Sequence, residues 1–314
     1  MKKAVVTGGA GFIGSNLADE LINRGYKVII IDDLSTGRLS NIESTLESKN
    51  AEFIRGSITN FPLLRKIFSG ADYVFHQAAL PSVPRSIKDP KTCNNINITG
   101  TLNVLVAARD SDIKKVIYAS SSAVYGDTPT LPKTEDMILN PLSPYAVTKL
   151  TGEYYCSVFS KIYNLKTVCL RYFNVYGPRQ DPNSPYAAVI PLFLEKVFTS
   201  NSPVIFGDGE QSRDFTFVKD VAQANILMAE SEASGIFNLG SSQKVTINHL
   251  VGLITDIAGD NAIKPIYRDP RPGDIVHSLA DISKARDIGY YPHYSLEEGL
   301  KETANSFRIG KDHI

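Results

Sequence analysis

Short apolar runs alternate with helix-patterned stretches through the first two-thirds of this chain, and that alternation restricts the fold more than any single residue does. Strands are expected at residues 4–7, 27–31, 52–55, 73–76, 115–120 and 167–172, with helices near 13–24, 63–68, 92–108 and 144–163. Parallel strands need a long crossover, and a helix is the usual one, so the expected fold class is α/β, a doubly wound parallel sheet with helices on both faces. Ligands of such sheets bind beyond the carboxyl ends of the strands. After about residue 175 the texture changes. Pro178, Pro182, Pro185, Pro191 and Pro203 break the chain into shorter pieces, with helices expected near 218–231, 247–258 and 296–307. Ser295-Leu296-Glu297-Glu298 reads as a capping box for the last of these. The expected organisation is a nucleotide-binding domain over 1–175 and a smaller α/β lobe over 176–314. That lobe interleaves with the first domain, some of its chain returning there.

Composition excludes several function classes. The 314 residues hold 33 basic and 33 acidic side chains with no long block of either sign, so a nucleic-acid partner is not expected. Cys93, Cys156 and Cys169 match no CxxC or metal spacing and read as reduced packing residues. The five histidines show no ligand spacing either, so no metal is expected. Met1-Lys2-Lys3 leads straight into the first strand, and no apolar run approaches a membrane span. A cytoplasmic location without a membrane partner is the expectation.

The turn after the first strand is Thr7-Gly8-Gly9-Ala10-Gly11-Phe12-Ile13-Gly14, and it opens the first helix. Glycines in that setting allow a tight turn, close approach of the backbone to a pyrophosphate, and packing of helix on strand. Asp32 ends the second strand, where a carboxylate accepts hydrogen bonds from a ribose and repels a 2′-phosphate, which favours NAD over NADP. A glycine turn with a capping aspartate is the lesser alternative.

Ser143-Pro144 suits a helix start, proline in the first turn and serine as cap. Tyr145 and Lys149 then share a face at i and i+4. An ammonium beside a phenol favours the phenolate, giving a proton acceptor for an alcohol hydroxyl, so a lowered Tyr145 pKa is expected. Taken alone, the same spacing also describes a chance pair on a wet helix face.

Together these stretches resemble the extended short-chain dehydrogenase/reductase family. The resemblance is carried by Gly8-x-x-Gly11-x-x-Gly14, His76-Gln77-Ala78-Ala79, the run from Ser120 to Gly126, and Tyr145-x-x-x-Lys149. The stretches Arg171-Tyr172-Phe173-Asn174-Val175-Tyr176-Gly177-Pro178 and Gly207-Asp208-Gly209-x-Gln211-x-Arg213-Asp214-Phe215 are similar to its nucleotide-sugar branch. The resemblance spans about residue 3 to about residue 300 and implies a Rossmann domain. It implies Gly8, Gly11, Phe12, Ile13, Gly14, Asp32, Ser57, Ile58, Gln77, Ala78, Ala79, Tyr145, Lys149 and Tyr172 as the NAD site. Gly56-Ser57-Ile58 departs from the family, which usually carries an acidic residue there near the adenine. The adenine contact there is expected to be weaker or made through backbone.

Members of the family that are sugar 4,6-dehydratases carry an Asp-Glu pair after the active-site threonine, and decarboxylating members a glutamate. This chain has Ser121, Ser122 and Ala123, which leaves a chemistry needing one acid/base and one hydride acceptor. The resemblance thus implies a UDP-sugar 4-epimerase with Ser121, Tyr145 and Lys149 as catalytic residues and Ser122 as a helper or a mere loop cap. It implies Arg213, Arg271 and Asn174 on the diphosphate, Asp274 on the ribose, and Val204 and Phe206 along the uracil. Gln211 belongs to the same motif, and Ser82, Val83, Arg85, Ser122 and Ala123 line the sugar end. Ser278 stands where some relatives place a tyrosine against carbon 2, so room for an N-acetyl group is expected. UDP-N-acetylglucosamine 4-epimerase, with UDP-glucose/UDP-galactose as a second pair, is the expected activity. A UDP-glucuronate 4-epimerase, kept open by Arg85, and a non-catalytic NAD-sensing module are the alternatives. The resemblance also implies a homodimer through the helices near 92–108 and 144–163.

Overall fold

The structure, a computed structural model, describes residues 1–182, 188–259, 262–270 and 276–309. Seven parallel strands form its central sheet: β1 (Lys3–Thr7), β2 (Lys27–Asp32), β3 (Ala51–Arg55), β4 (Tyr73–His76), β5 (Lys115–Ser121), β6 (Thr167–Tyr172) and β7 (Gly235–Leu239). Their order across the sheet is β7-β6-β5-β4-β1-β2-β3. β1 lies between β2 and β4, with Val5 opposite Ile29 on one side and Val74 on the other. The chain therefore leaves β1 in one direction for β2 and β3 and in the other for β4 onward, which opens a crevice at the carboxyl ends of β1 and β4.

Alternate strand residues feed different cores, as a pleated strand requires. Ala4, Val6, Val28 and Ile30 join the cluster that holds α1 (Phe12–Asn23) through Leu17 and Leu21. Val5, Ile29 and Ile31 join the other, with Leu64 of α2 (Phe61–Phe68), Val104 of α3 (Gly100–Asp110) and Phe159 of α4 (Pro144–Tyr163). A third cluster is the core of the smaller lobe. It is built from Leu194 of α5 (Val189–Phe198), Leu250 and Ile254 of α7 (Ile247–Ala258), and Leu300 and Ala304 of α8 (Leu296–Ile309). Ser295 and Glu298 form the expected capping box on α8, each accepting from the other's amide.

Some of the later chain returns to the first sheet. The helix α6 (Val218–Glu230) joins the α1 cluster through Val221 and Ala222, and β7 adds to β6 with Phe237 opposite Leu170. α6 is an expected helix, whereas β7, which is five residues long, and α5 lie outside the expected elements. Pro191 reads as a breaker within α5, yet it sits in the first turn, where its missing N–H has no intrahelical partner to lose. A helix Val83–Lys88 also lies outside the expected elements. The single helix expected over 92–108 is three pieces: an α segment Pro90–Asn94, a π-helical turn Asn95–Thr99, and α3. Such turns shift the helical phase. Asn97 within it is buried, accepts from the Leu80 amide at 2.8 Å and donates to Thr148 Oγ1 at 3.0 Å.

Candidate active site

The glycine turn is closed by its own backbone. Gly8 has φ +68°, and a Cβ added there would stand 2.7 Å from Ala78 Cα, while one on Gly14 would stand 2.2 Å from Gly8 O. Gly11 precedes α1 without a side-chain cap, leaving the amides of Phe12 and Ile13 at an open helix N-terminus. Asp32 accepts from Ala10 N at 3.0 Å and Leu34 N at 2.8 Å, so its carboxylate also braces the turn. Burial raises its pKa, and those amide hydrogen bonds oppose the rise. Arg38 N and Asn41 Nδ2 both donate to Ala10 O from the following loop. A backbone cradle that Cβ atoms would fill, an uncapped helix and a carboxylate at the end of β2 fit a dinucleotide.

Beyond β4, Gln77, Ala78 and Ala79 are half-buried. Gln77 Nε2 donates to Asn225 Oδ1 at 3.0 Å, and the Tyr172 hydroxyl donates to Gln77 Oε1 at 3.2 Å. Asn225, on α6, gave no signal in the sequence, although it ties two of the expected cofactor contacts together. Beyond β3, Ile58 is buried and packs on Gly100, so its side chain belongs to the core. Ser57 Oγ accepts from the Thr59 amide at 3.3 Å. His76 lies between Thr7 Oγ1 and Thr101 Oγ1, at 2.8 and 2.9 Å. Burial first, then Lys149, holds its pKa down to about 3. It is a neutral packing group.

Ser143 caps α4 by accepting from Ala146 N at 3.2 Å, with Pro144 in the first turn. Ser86 Oγ accepts from Tyr145 N at 3.1 Å, so the helix Val83–Lys88 sits against the start of α4. That helix is capped by Ser82, and Val83 and Arg85 on it are exposed. Lys149 Nζ lies 5.9 Å from the Tyr145 ring centre and 5.2 Å from that of Tyr118, and it donates to Ala119 O at 2.7 Å. The Ser121 hydroxyl lies close enough to the Tyr145 phenol to pull its pKa down. Ser121 also accepts from Ala123 N at 3.2 Å and leads into the 3₁₀ turn Ser122–Tyr125, which carries no carboxylate.

The electrostatics correct one expectation. Burial raises the Tyr145 pKa, and the nearby Ser121 hydroxyl only partly offsets the rise. Burial also pulls Lys149 down to about 8, against the raising influence of Cys93 and Glu153. Desolvation disfavours the charged form of each group, and here it outweighs the attraction on which the lowered phenol pKa rested.

In the smaller lobe, Val204–Phe206 pairs in parallel with Ile266–Arg268, and Gln211 Nε2 donates to Phe206 O at 2.7 Å. Ser212 exchanges backbone hydrogen bonds with Val276 and Ser278, both at 3.0 Å, which sets Arg213 and Ser278 in one strip. Arg213 Nη1 donates to Ser212 O and Val276 O. Asn174, at φ +32°, donates through Nδ2 to Asp214 O at 2.9 Å. Buried Asp214 accepts from the amides of Ser241, Ser242 and Ala280, so it organises this strip. Its place beside Arg213 in the sequence does not reveal that role. Arg271 and Asp274 lie outside the described residues. Among the described residues no His/Cys/Asp/Glu cluster could hold a metal ion, and no helix is long and apolar enough to cross a membrane.

The model of the NAD dependent epimerase/dehydratase family matches residues 4–240. Among solved structures, the chain is similar to UDP-N-acetylglucosamine 4-epimerase from Methanobrevibacter ruminantium M1 in complex with UDP-N-acetylmuramic acid. The identity is 48%, the TM-score 0.95, and 98% of this chain and 99% of that one are covered. It is similar to UDP-glucose 4-epimerase of Thermotoga maritima with UDP-glucose, at 40% identity and TM-score 0.93 over 98% and 99% of the two chains. The UDP-glucuronic acid 4-epimerase of Bacillus cereus, in complex with UDP-glucuronic acid and NAD, shares 35% identity at TM-score 0.89 over 98% and 99%.

Proposed function

Because this chain belongs to the NAD-dependent epimerase/dehydratase family, we propose that it is a UDP-N-acetylglucosamine 4-epimerase. It would interconvert UDP-GlcNAc with UDP-GalNAc, and UDP-glucose with UDP-galactose as a second pair. The observation that carries this reading is the meeting of Ser121, Tyr145 and Lys149 beside a turn without a carboxylate. The chain is an NAD-dependent isomerase. NAD, when bound, would supply the hydride acceptor and donor for carbon 4 of the sugar. Gly8, Gly11, Phe12, Ile13 and Gly14 would hold the pyrophosphate and Asp32 the adenosine ribose, with Ser57 and Ile58 near the adenine. Gln77, Ala78, Ala79, Lys149 and Tyr172 would hold the nicotinamide end.

Tyr145 takes the proton of the sugar 4-hydroxyl and later gives it back. Ser121 hydrogen-bonds that oxygen and relays the proton. Lys149, protonated below about pH 8, supplies the cation that a buried phenolate needs. Arg213, Asn174 and Arg271 grip the diphosphate, Val204 and Phe206 flank the uracil, and Gln211 and Asp274 complete the nucleotide site. Ser82, Val83, Ser122 and Ala123 line the sugar end. Ser278, beside Arg213, leaves room at carbon 2. Ser278→Tyr is expected to cut turnover of UDP-GlcNAc by on the order of 10²-fold while sparing UDP-glucose. Equal loss on both sugars, measured as kcat/KM, would remove Ser278 from that role.

A UDP-glucuronate 4-epimerase is the second reading, favoured by the exposed Arg85 cation close to the start of α4. Incubation of the purified protein with each UDP-sugar, without added NAD, and separation of the products decides between them. Turnover of UDP-glucuronate alone would overturn the first reading, and turnover of any sugar excludes an NAD-sensing module. We also propose a homodimer through α3 and α4, because α4 exposes Tyr154, Val158 and Ile162 on its surface. Sedimentation that finds only monomer at micromolar concentration would count against it.

A further inference from the structure

We infer that the buried Glu153–Arg171 ion pair is a positioning device that sets Tyr145 against Ser121; this rests on the functional reading above. Tyr145, Lys149 and Glu153 recur at every fourth residue on one face of α4. Each meets one of three consecutive residues at the end of β5. Ser121 meets the Tyr145 phenol, Ala119 O accepts from Lys149 Nζ at 2.7 Å, and Ser120 Oγ donates to Glu153 Oε1 at 2.5 Å. Next to Glu153, Gly152 lets the helix lie directly on the strand, since a Cβ there would stand 2.2 Å from Tyr118 Oη. A slip of α4 along β5 would therefore break the Lys149 and Glu153 bonds and move Tyr145 off Ser121 together.

Arg171 fixes the position. It stands opposite Ser120 in register on β6, and its Nε and Nη2 donate to the two Glu153 oxygens at 2.9 and 2.8 Å. Its Nη1 donates to Tyr125 Oη at 2.9 Å, and the Tyr125 hydroxyl donates to Asn238 Oδ1 on β7 at 2.6 Å. Tyr125 closes the turn that starts immediately after Ser121. One guanidinium thus holds the helix bearing Tyr145 and Lys149 and the turn following Ser121. Both side chains of the pair are 1% exposed. A buried pair of this kind is often no more stabilising than apolar residues of the same volume, whereas its two-pronged geometry fixes direction. Glu153 also supports the Lys149 ammonium against burial.

The test compares wild type with Ser120→Ala, Tyr125→Phe and Glu153→Gln as NAD-loaded proteins. It measures kcat per bound NAD, KM for the UDP-sugar, and melting temperature. The expected result is a fall in kcat per bound NAD of about 10- to 100-fold, as a misplacement on the order of 1 Å produces. KM stays within about twofold, because the substrate anchors are elsewhere. A merely structural pair would lower the melting temperature or NAD content and leave kcat per bound NAD at the wild-type value. That outcome in both hydroxyl variants overturns the inference. Ser120→Ala and Tyr125→Phe each remove one hydroxyl and leave the ion pair intact, so they decide the matter even if Glu153→Gln does not fold. A wild-type protein that turns over no UDP-hexose would instead overturn the functional reading, and the inference with it.

Discussion

Tyr145→Phe is expected to lower the epimerisation rate by roughly 10³- to 10⁴-fold, the upper range for loss of a general acid–base group, while NAD content stays at the wild-type level. The substitution removes one oxygen and keeps the ring, so the cap at Ser143 and the contact of Ser86 with the Tyr145 amide survive. What is lost is the phenol that meets Ser121. Ser121 keeps its bond from Ala123 N and has no other base beside it on the turn. The check is a product assay alongside NAD released on denaturation. Turnover within about tenfold of wild type would place the base elsewhere, since a lost acid–base group costs more than that.

Lys149→Met is expected to cost roughly 10²- to 10³-fold in rate, the usual range for removing a preorganised charge from a buried site. The parent protein carries a pH signature of the same group. Burial lowers Lys149 from 10.5 to about 8, so it is cationic below that pH and neutral above it. The rate should fall as pH rises through about 8, and Lys149→Met should lack that limb. Folding stability should move the other way. Between about 8 and 10.5 the unfolded chain binds the proton that the folded chain has released, so stability attributable to Lys149 rises through that window. It is complete above 10.5 and absent below about 8. A pH–rate profile and a melting series on both proteins read the two slopes. A rate limb that persists in Lys149→Met would assign the titration to another group.

The parts legible in the sequence are those that local chemistry sets. β4 and β6 appear at their expected bounds, because short apolar runs bounded by turns suit strands buried on both faces of a parallel sheet. The same holds for α4, where Ser143 and Pro144 mark the start and Asn164 adopts a left-handed turn at the end. The brace formed by Asn97, the tie made by Asn225 and the hub at Asp214 were not legible. Each is a buried amide or carboxylate whose partners lie far away in the chain, so nothing nearby announces them. The direction of the Tyr145 shift escaped for the same reason. Spacing predicts the neighbour at i+4, but only the tertiary structure reveals how much water both groups lose.

The return of β7 to the central sheet makes the two halves of the molecule inseparable by truncation. A fragment ending near residue 175 would keep β1 to β6 yet leave the long side of β6 bare, with Leu170 and Tyr172 deprived of Phe237 and Leu239. An uncovered edge of that kind invites pairing with other chains. It would also strip Arg171 and Tyr125 of Asn238, so the fragment that retains every residue of the cofactor turn would lose the tether of its own Ser121 turn. Melting of the intact protein should accordingly be a single cooperative event rather than two, with loss of the substrate lobe reported at the catalytic turn as it happens.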